Sequence, residues 1–321
     1  MYLYLITPAV AYILFKSYQK WTCGMYTDPI KMSNKVVIVT GANTGIGFET
    51  AKDLAKRDAR VILACRDTDK GNAARNRIVN ATGNNNVVYK RLDLASLQSV
   101  RDFSDDILST ERLIHVLINN AGTGKLDNRL TEDNLPVEAQ VNHFGPFLLT
   151  NLLLPAIKAA RGRIINVSSV MHYFGRIDIE NFIKQAKTSF QHRLVYSNTK
   201  LANILFTRKL SKELQGSGVT VNCLHPGAVS TDIFRHQFFI VRLLIRFIMK
   251  TPYEGAQTSI YLAVAPVLEN VTGKYFVDCQ EVKPSKTAMD DGLAEKLWDL
   301  SERKVLNKKK CFSGKLKSDE E

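Results

Sequence analysis

Short apolar runs alternate with stretches of helical periodicity along most of this chain. Residues 35–40 (KVVIVT) read as a short buried parallel strand, and a helical pattern follows through Lys56. The alternation continues, with strands expected over 60–64, 87–92, 116–119, 163–167 and 220–224. Between them, helices are expected over 70–80, 97–108, within 134–158 and over 192–215. A further helix (252–265), a last strand (274–277) and a terminal helix (293–306) complete the pattern. This alternation predicts an α/β fold: a doubly wound parallel sheet in a single domain over 33–306, with ligands at the carboxyl ends of the strands.

Three segments stand outside that rhythm. Residues 1–15 are apolar apart from Thr7 and Pro8, and Lys16 and Lys20 follow. As a helix they reach about 22 Å, against about 30 Å of hydrocarbon, so a membrane anchor over 1–22 relies on snorkelling lysines and a thinned bilayer. The positive side chains come after the apolar run, which speaks against a cleaved signal peptide and sets the body of the protein on the cytosolic side. A helix packed on the domain is the alternative. Residues 233–250 (IFRHQFFIVRLLIRFIMK) put Arg235, Arg242, Arg246 and Lys250 on one helical stripe beside an apolar remainder. That pattern suits an anionic membrane surface; a core helix with a solvated basic face is the rival. The tail 307–321, with Lys308-Lys309-Lys310-Cys311, reads as disordered.

The chain has 321 residues, 45% of them hydrophobic and 23% charged, with a formal net charge of +13. The basic residues gather near apolar segments, and no zinc-finger or RNP pattern occurs, so a membrane surface rather than nucleic acid is the expected partner. The five cysteines, Cys23, Cys65, Cys223, Cys279 and Cys311, are scattered and form no Cys-x-x-Cys. The six histidines show no ligand spacing. A reducing compartment, no disulfide framework and no metal are expected.

The candidate chemistry begins after the first strand. Thr40-Gly41-Ala42-Asn43-Thr44-Gly45-Ile46-Gly47 links strand to helix, the geometry that sets a pyrophosphate on a helix N-terminus. The spacing is GxxxGxG, which meets the same need for positive φ and close backbone approach. At the end of the second strand an NAD site would place an acid; here stands Ala64-Cys65-Arg66-Asp67. Arg66 suits a 2′-phosphate, which favours NADP(H) over NAD(H). Farther on, Tyr196 and Lys200 lie four apart on one expected helix face. A lysine ammonium there is expected to lower the tyrosine pKa from about 10 and make a general acid/base.

These motifs occur in the order of the short-chain dehydrogenase/reductase family: TGANTGIG at 40–47, Asn119-Asn120-Ala121-Gly122, Asn142 in VNHFGPF, Ser168-Ser169 and Tyr196-x-x-x-Lys200. The runs at 64–67, 141–155, 163–170, 196–210 and 219–233 further resemble its membrane-associated retinol dehydrogenase branch. The resemblance implies a Rossmann-type fold and NADP(H)-dependent interconversion of a hydrophobic alcohol and its aldehyde or ketone, retinol and retinal being the type. Tyr196 then matches the acid/base, Lys200 the lysine on the nicotinamide ribose, and Asn142 the asparagine holding a relay water. Ser169, which precedes Val170, matches the serine that steadies the substrate oxygen; Ser168 is read as local. The implied cofactor neighbours are Gly41, Asn43, Thr44, Gly45, Ile46, Gly47, Arg66, Asp93, Leu94, Asn120, Ala121, Gly122, Tyr196, Lys200, Pro226, Gly227, Val229 and Thr231. Asp93 could instead cap a helix, and His225 is read as structural.

Two segments depart from the branch pattern: 123–130 (TGKLDNRL), and a long gap before Tyr196 holding 178–191, read as a surface insertion beside the pocket. They leave the substrate open, with a steroid, a lipid aldehyde or a xenobiotic carbonyl as rivals to a retinoid, and a non-catalytic NADP(H)-binding scaffold as a rival of another class. The expected location is a membrane with the domain facing the cytosol: the endoplasmic reticulum, or alternatively a mitochondrial or lipid-droplet membrane. A homo-oligomer is compatible with the sequence.

Overall fold

The computed structural model of the protein describes residues 17, 22–124, 128–230 and 249–306, the side chains of 189, 192 and 193 excepted. Nearly all of the expected anchor and of the basic amphipathic stretch, together with Thr231 and the tail, therefore lie outside the described residues. Among the described residues, no helix is long and apolar enough to cross a membrane.

Among the described residues, eight strands form one sheet: β1 (Val36–Thr40), β2 (Arg60–Cys65), β3 (Val87–Arg91), β4 (Val116–Asn119), β5 (Arg163–Val167), β6 (Thr220–His225), β7 (Tyr275–Val277) and β8 (Gln280–Val282). Their order is β3-β2-β1-β4-β5-β6-β7-β8. All neighbours are parallel except β7 and β8. β8 was not expected from the sequence. Asp278 and Cys279 take left-handed φ values of 51° and 61° between the two strands, the backbone of a tight hairpin.

The main helices are α1 (Gly45–Lys56), α2 (Thr68–Thr82), α3 (Leu97–Thr110), α4 (Gly145–Ala159), α5 (Ser189–Glu213), α6 (Pro252–Val264) and α7 (Asp291–Val305). They cover both faces of the sheet. Alternation along the strands separates the two cores: Val37 and Val39 face Phe48, Leu54 and Ile260, while Ile38 faces the layer of Phe103, Phe147 and Leu205. Several helix starts carry side-chain caps, from Asp67 on α2, Ser96 on α3, Thr188 on α5 and Asp290 on α7. A Thr251–Glu254 capping box opens α6.

The helix expected within 134–158 is α4, and the chain approaches it through a turn. Asn134 has φ 57°, and Val137–Ala139 lead into a π-helical turn at Gln140–Phe144 before α4 begins. Residues 178–191 are more than surface: Phe182 is buried in the core against His143 and Phe144. Residues 23–32 also join the domain earlier than the expected start at 33, with Met32 buried and Arg57 donating to the Asp28 and Ile30 carbonyls. Lys250 does not end a helix; it forms a parallel β-bridge with Val229 and an ion pair with Asp278.

Beneath the carboxyl ends of β4 and β5, a polar network crosses the core. Asn119 Nδ2 donates to Thr150 Oγ1 (3.0 Å) and Asn166 Oδ1 (2.8 Å), and Asn166 Nδ2 donates to Thr207 Oγ1 (2.9 Å). Asn119 and Asn166 are register partners on adjacent strands.

Candidate active site

Strand order reverses between β1 and β4, and doubly wound sheets bind ligands at such a switch point. The glycine turn sits there. Gly41 has φ +65°, and a Cβ on it would lie 2.9 Å from the Ala121 Cα; a Cβ on Gly47 would meet Asn120 Nδ2 and the Gly41 carbonyl at 2.5 Å. Only glycine lets the three segments close on one another. Thr44 makes no side-chain cap on α1, and the first turn holds no acid, so the helix N-terminus presents its N–H groups to an anion. Ile46 and Val229 meet around Gly255, where an added Cβ would lie 3.2 and 2.6 Å from them.

Asn120 braces this turn, donating through Nδ2 to the Thr40 carbonyl at 2.8 Å. Thr40 Oγ1 accepts from the Asn120 and Ala121 N–H groups at 3.0 and 2.9 Å. Sequence reasoning missed Thr40; its place directly before the first glycine was the available signal.

Arg66 is exposed at the carboxyl end of β2. Asp67 is engaged in a helix cap. Its Oδ1 accepts from the Lys70 N–H at 3.0 Å as the cap of α2, and this bond holds its carboxyl below the usual range. Asp93 is not the alternative helix cap, which is Ser96. Asp93 Oδ1 accepts from the Ala95 N–H at 3.0 Å and shapes the loop. The Leu94 side chain is buried in the core.

The catalytic candidates converge from β5, α5 and the π-helical turn. Ser169 caps a 3-10 turn (Val170–Phe174) with its Oγ accepting from Met171 N–H at 3.2 Å, and the same side chain acts on the Tyr196 phenol to lower its pKa. Ser168 is local, as expected, donating to the Lys200 carbonyl at 2.7 Å. Lys200 is buried, with Nζ donating to the Val167 carbonyl at 3.1 Å. Asn142 clamps Thr123 from both sides, accepting from its N–H and donating to its carbonyl at 2.8 Å, and also donates to Thr199 Oγ1 at 3.0 Å. A Cβ on Gly122 would lie 3.2 Å from Lys200 Nζ and 3.6 Å from Asn142 Oδ1, and one on Gly124 would lie 3.0 Å from the Tyr196 ring. Thr123 and Thr199 were not foreseen.

One electrostatic expectation fails. Burial pushes the Tyr196 phenol above its usual 10; the Ser169 hydrogen bond opposes this and the Glu138 carboxylate adds to it. The Lys200 ammonium lies 5.6 Å from the ring centre and donates to the Val167 carbonyl, and the net shift of the phenol is still upward. Burial also brings Lys200 itself down to about 8. His225 is pushed down to about 4 by burial and stays neutral, and its Nδ1 has no partner among the described residues. Pro226 and Gly227 follow it, with Gly227 at φ +88° packed on the Lys250 side chain.

The two segments that depart from the branch pattern meet. Asn128 Nδ2 donates to the Ala186 carbonyl at 2.6 Å, the Ala186 N–H returns to Asn128 Oδ1 at 3.1 Å, and Gln185 Nε2 donates to the Asn128 carbonyl at 2.9 Å.

A switch-point glycine turn with a serine, tyrosine and lysine gathered beside it defines a dinucleotide-dependent oxidoreductase. The chain belongs to the short-chain dehydrogenase family, whose sequence profile matches residues 35–238. Mouse retinol dehydrogenase 11 is 45% identical over 302 residues, which cover 93% of each chain. Mouse retinol dehydrogenase 13 is 47% identical over 280 residues, 84% of each. These relatives set the chain in the retinol dehydrogenase-like branch. Among solved structures, a Mycobacterium paratuberculosis protein is 33% identical with a TM-score of 0.70, covering 88% of this chain and 98% of its own. A structure assigned as an NAD(P)-dependent gluconate 5-dehydrogenase of Beutenbergia cavernae, with bound NADP, is 25% identical with a TM-score of 0.64, covering 78% and 97%.

Proposed function

We propose that this protein is an NADP(H)-dependent oxidoreductase that interconverts a hydrophobic, retinoid-like alcohol and its carbonyl compound, with Tyr196 as general acid/base. The observation that carries the cofactor choice is the end of β2. Arg66 is exposed there, while the Asp67 beside it is held by the cap of α2. The retinol dehydrogenases among its relatives carry the substrate class.

The residues present fit a dinucleotide: a Cβ would fill the close approach at Gly41 and Gly47, and the uncapped start of α1 suits a pyrophosphate. When bound, the cofactor supplies or accepts the hydride. Arg66 pairs with its 2′-phosphate, and Lys200 holds the nicotinamide ribose. Asp93 lies near the adenine, and Asn120, Ala121, Gly122, Pro226, Gly227, Val229 and Thr231 border the remainder. Tyr196 holds the proton that the substrate oxygen gains in reduction and takes it back in oxidation. Ser169 hydrogen-bonds the same oxygen, and Asn142 fixes Thr123 beside the lysine and holds a relay water. Residues 1–22 and 233–250 bring the domain to an anionic membrane, where an apolar substrate resides.

A panel of retinoid, steroid and lipid carbonyls, each with NADPH and NADH, tests this reading. Retinaldehyde reduction with NADPH should lead. Tyr196→Phe should lose at least about a thousandfold in kcat while binding NADPH as the parent does. Equal turnover in Tyr196→Phe would refute the assigned role, and no turnover with any carbonyl would refute the activity.

A further inference from the structure

The Ser169 carbonyl accepts twice from one residue: from the His172 backbone N–H at 3.1 Å and from the imidazole Nδ1 at 2.7 Å. The other ring nitrogen, Nε2, stands 3.1 Å from the backbone N–H of Ser285. A backbone N–H only donates, so Nε2 is the acceptor and the ring proton sits on Nδ1, directed at Ser169. The ring is fully buried, 4.2 Å from Tyr173 and 5.1 Å from Tyr275, centre to centre. Burial holds its pKa below the ordinary 6.5, which keeps the single-proton form these bonds need.

His172 thus joins two parts of the chain 113 residues apart. The same turn presents Ser169 Oγ, whose lone pair takes the Met171 N–H and leaves the hydroxyl proton for another acceptor. We propose that His172 is a positioning residue of the hydride-transfer site: it locks the Ser169 backbone so that the serine hydroxyl stays on Tyr196, and it fixes the segment after β8 against that serine. This rests on the roles proposed for Ser169 and Tyr196. His172 is fully buried and acts through Ser169.

The two ring nitrogens can be tested separately in the full chain. His172→Asn keeps an amide donor at the place of Nδ1; His172→Gln puts its amide at the place of Nε2. In Asn, kcat should stay within about threefold of the parent, while the Ser285 amide loses hydrogen-exchange protection. In Gln, that protection should persist, kcat should fall at least about tenfold, and KM for NADPH should not change. The pH–rate limb belonging to Tyr196 should also move upward in Gln, since its phenol loses the hydrogen bond that lowers its pKa. Parental kcat and an unmoved limb in Gln, beside an inactive Ser169→Ala, would overturn the positioning role alone. So would equal losses in both variants that track their unfolded fractions. Full activity in Ser169→Ala, or none in the parent with any carbonyl, would overturn the reading of the site and the positioning role with it.

Discussion

Replacing Lys200 with methionine should make the protein more stable and inactive. The Lys200 ammonium is buried, and its pKa falls from 10.5 to about 8 because burial penalises the charge. Below pH 8 the side chain is protonated in both folded and unfolded chains. At about 1.4 kcal/mol per pH unit, the difference makes folding about 3 kcal/mol less favourable there than for an unperturbed lysine. Between pH 8 and 10.5 the unfolded chain binds the proton more readily, so the parent's stability rises with pH across that window. Methionine keeps the stem and removes the charge. It also removes the bond to the Val167 carbonyl, at a loss of about 1 kcal/mol. That carbonyl is not orphaned, because Asn203 Nδ2 still donates to it at 3.2 Å. The net gain at pH 7 is about 2 kcal/mol, or about 4 to 6 °C in Tm. Urea denaturation of both proteins without cofactor, at pH 7 and pH 10, measures it. The gain should vanish by about pH 10, and turnover should be lost at every pH. A variant less stable than the parent at pH 7, or a gain that does not shrink with pH, would refute the reasoning.

Three further outcomes follow from the nucleotide side. Arg66→Leu should lower kcat/KM with NADPH by about 10- to 100-fold, the worth of a charge-assisted pair, and leave NADH unchanged; equal losses with both cofactors would contradict a 2′-phosphate contact. Asp67→Ala should destabilise the protein by about 1 kcal/mol through loss of the α2 cap, read by thermal unfolding, with little change in cofactor preference. Gly47→Ala places a methyl 2.5 Å from Asn120 Nδ2 and the Gly41 carbonyl, so cofactor binding by fluorescence titration should weaken at least about tenfold.

The sheet was legible because strands such as 36–40 and 60–65 are nearly continuous β-branched and aliphatic runs, the mark of burial on both faces. The glycine turn and the Tyr196–Lys200 pair were legible because backbone approach and helix spacing restrict residue type. β8 was not, since Gln280, Glu281 and Val282 are all exposed and carry no apolar pattern. The π-helical turn at Asn142 was hidden because QVNHF has ordinary helical composition and its shape depends on contacts with Thr123 and Thr199, distant in sequence. The effect of Lys200 on Tyr196 was misjudged for a related reason: spacing shows which groups share a helix face, but not which way an ammonium turns once a carbonyl offers it a bond.

The Asn119–Asn166 pair bears on how the chain reaches this structure. The apolar runs of β4 and β5 would tolerate a displaced pairing, because isoleucine, leucine and valine are nearly interchangeable in a buried sheet. The two asparagines would not. Displacing β4 against β5 by one residue would separate the two amides and break the bonds that Asn119 makes to Asn166 and Thr150 in a dry interior. The network thus favours the native alignment over a displaced one, because only the native register pairs these buried amides. Substitution of either asparagine by leucine should then be seen first in refolding, as slower recovery and more aggregation, even where the finished fold can accommodate the new side chain.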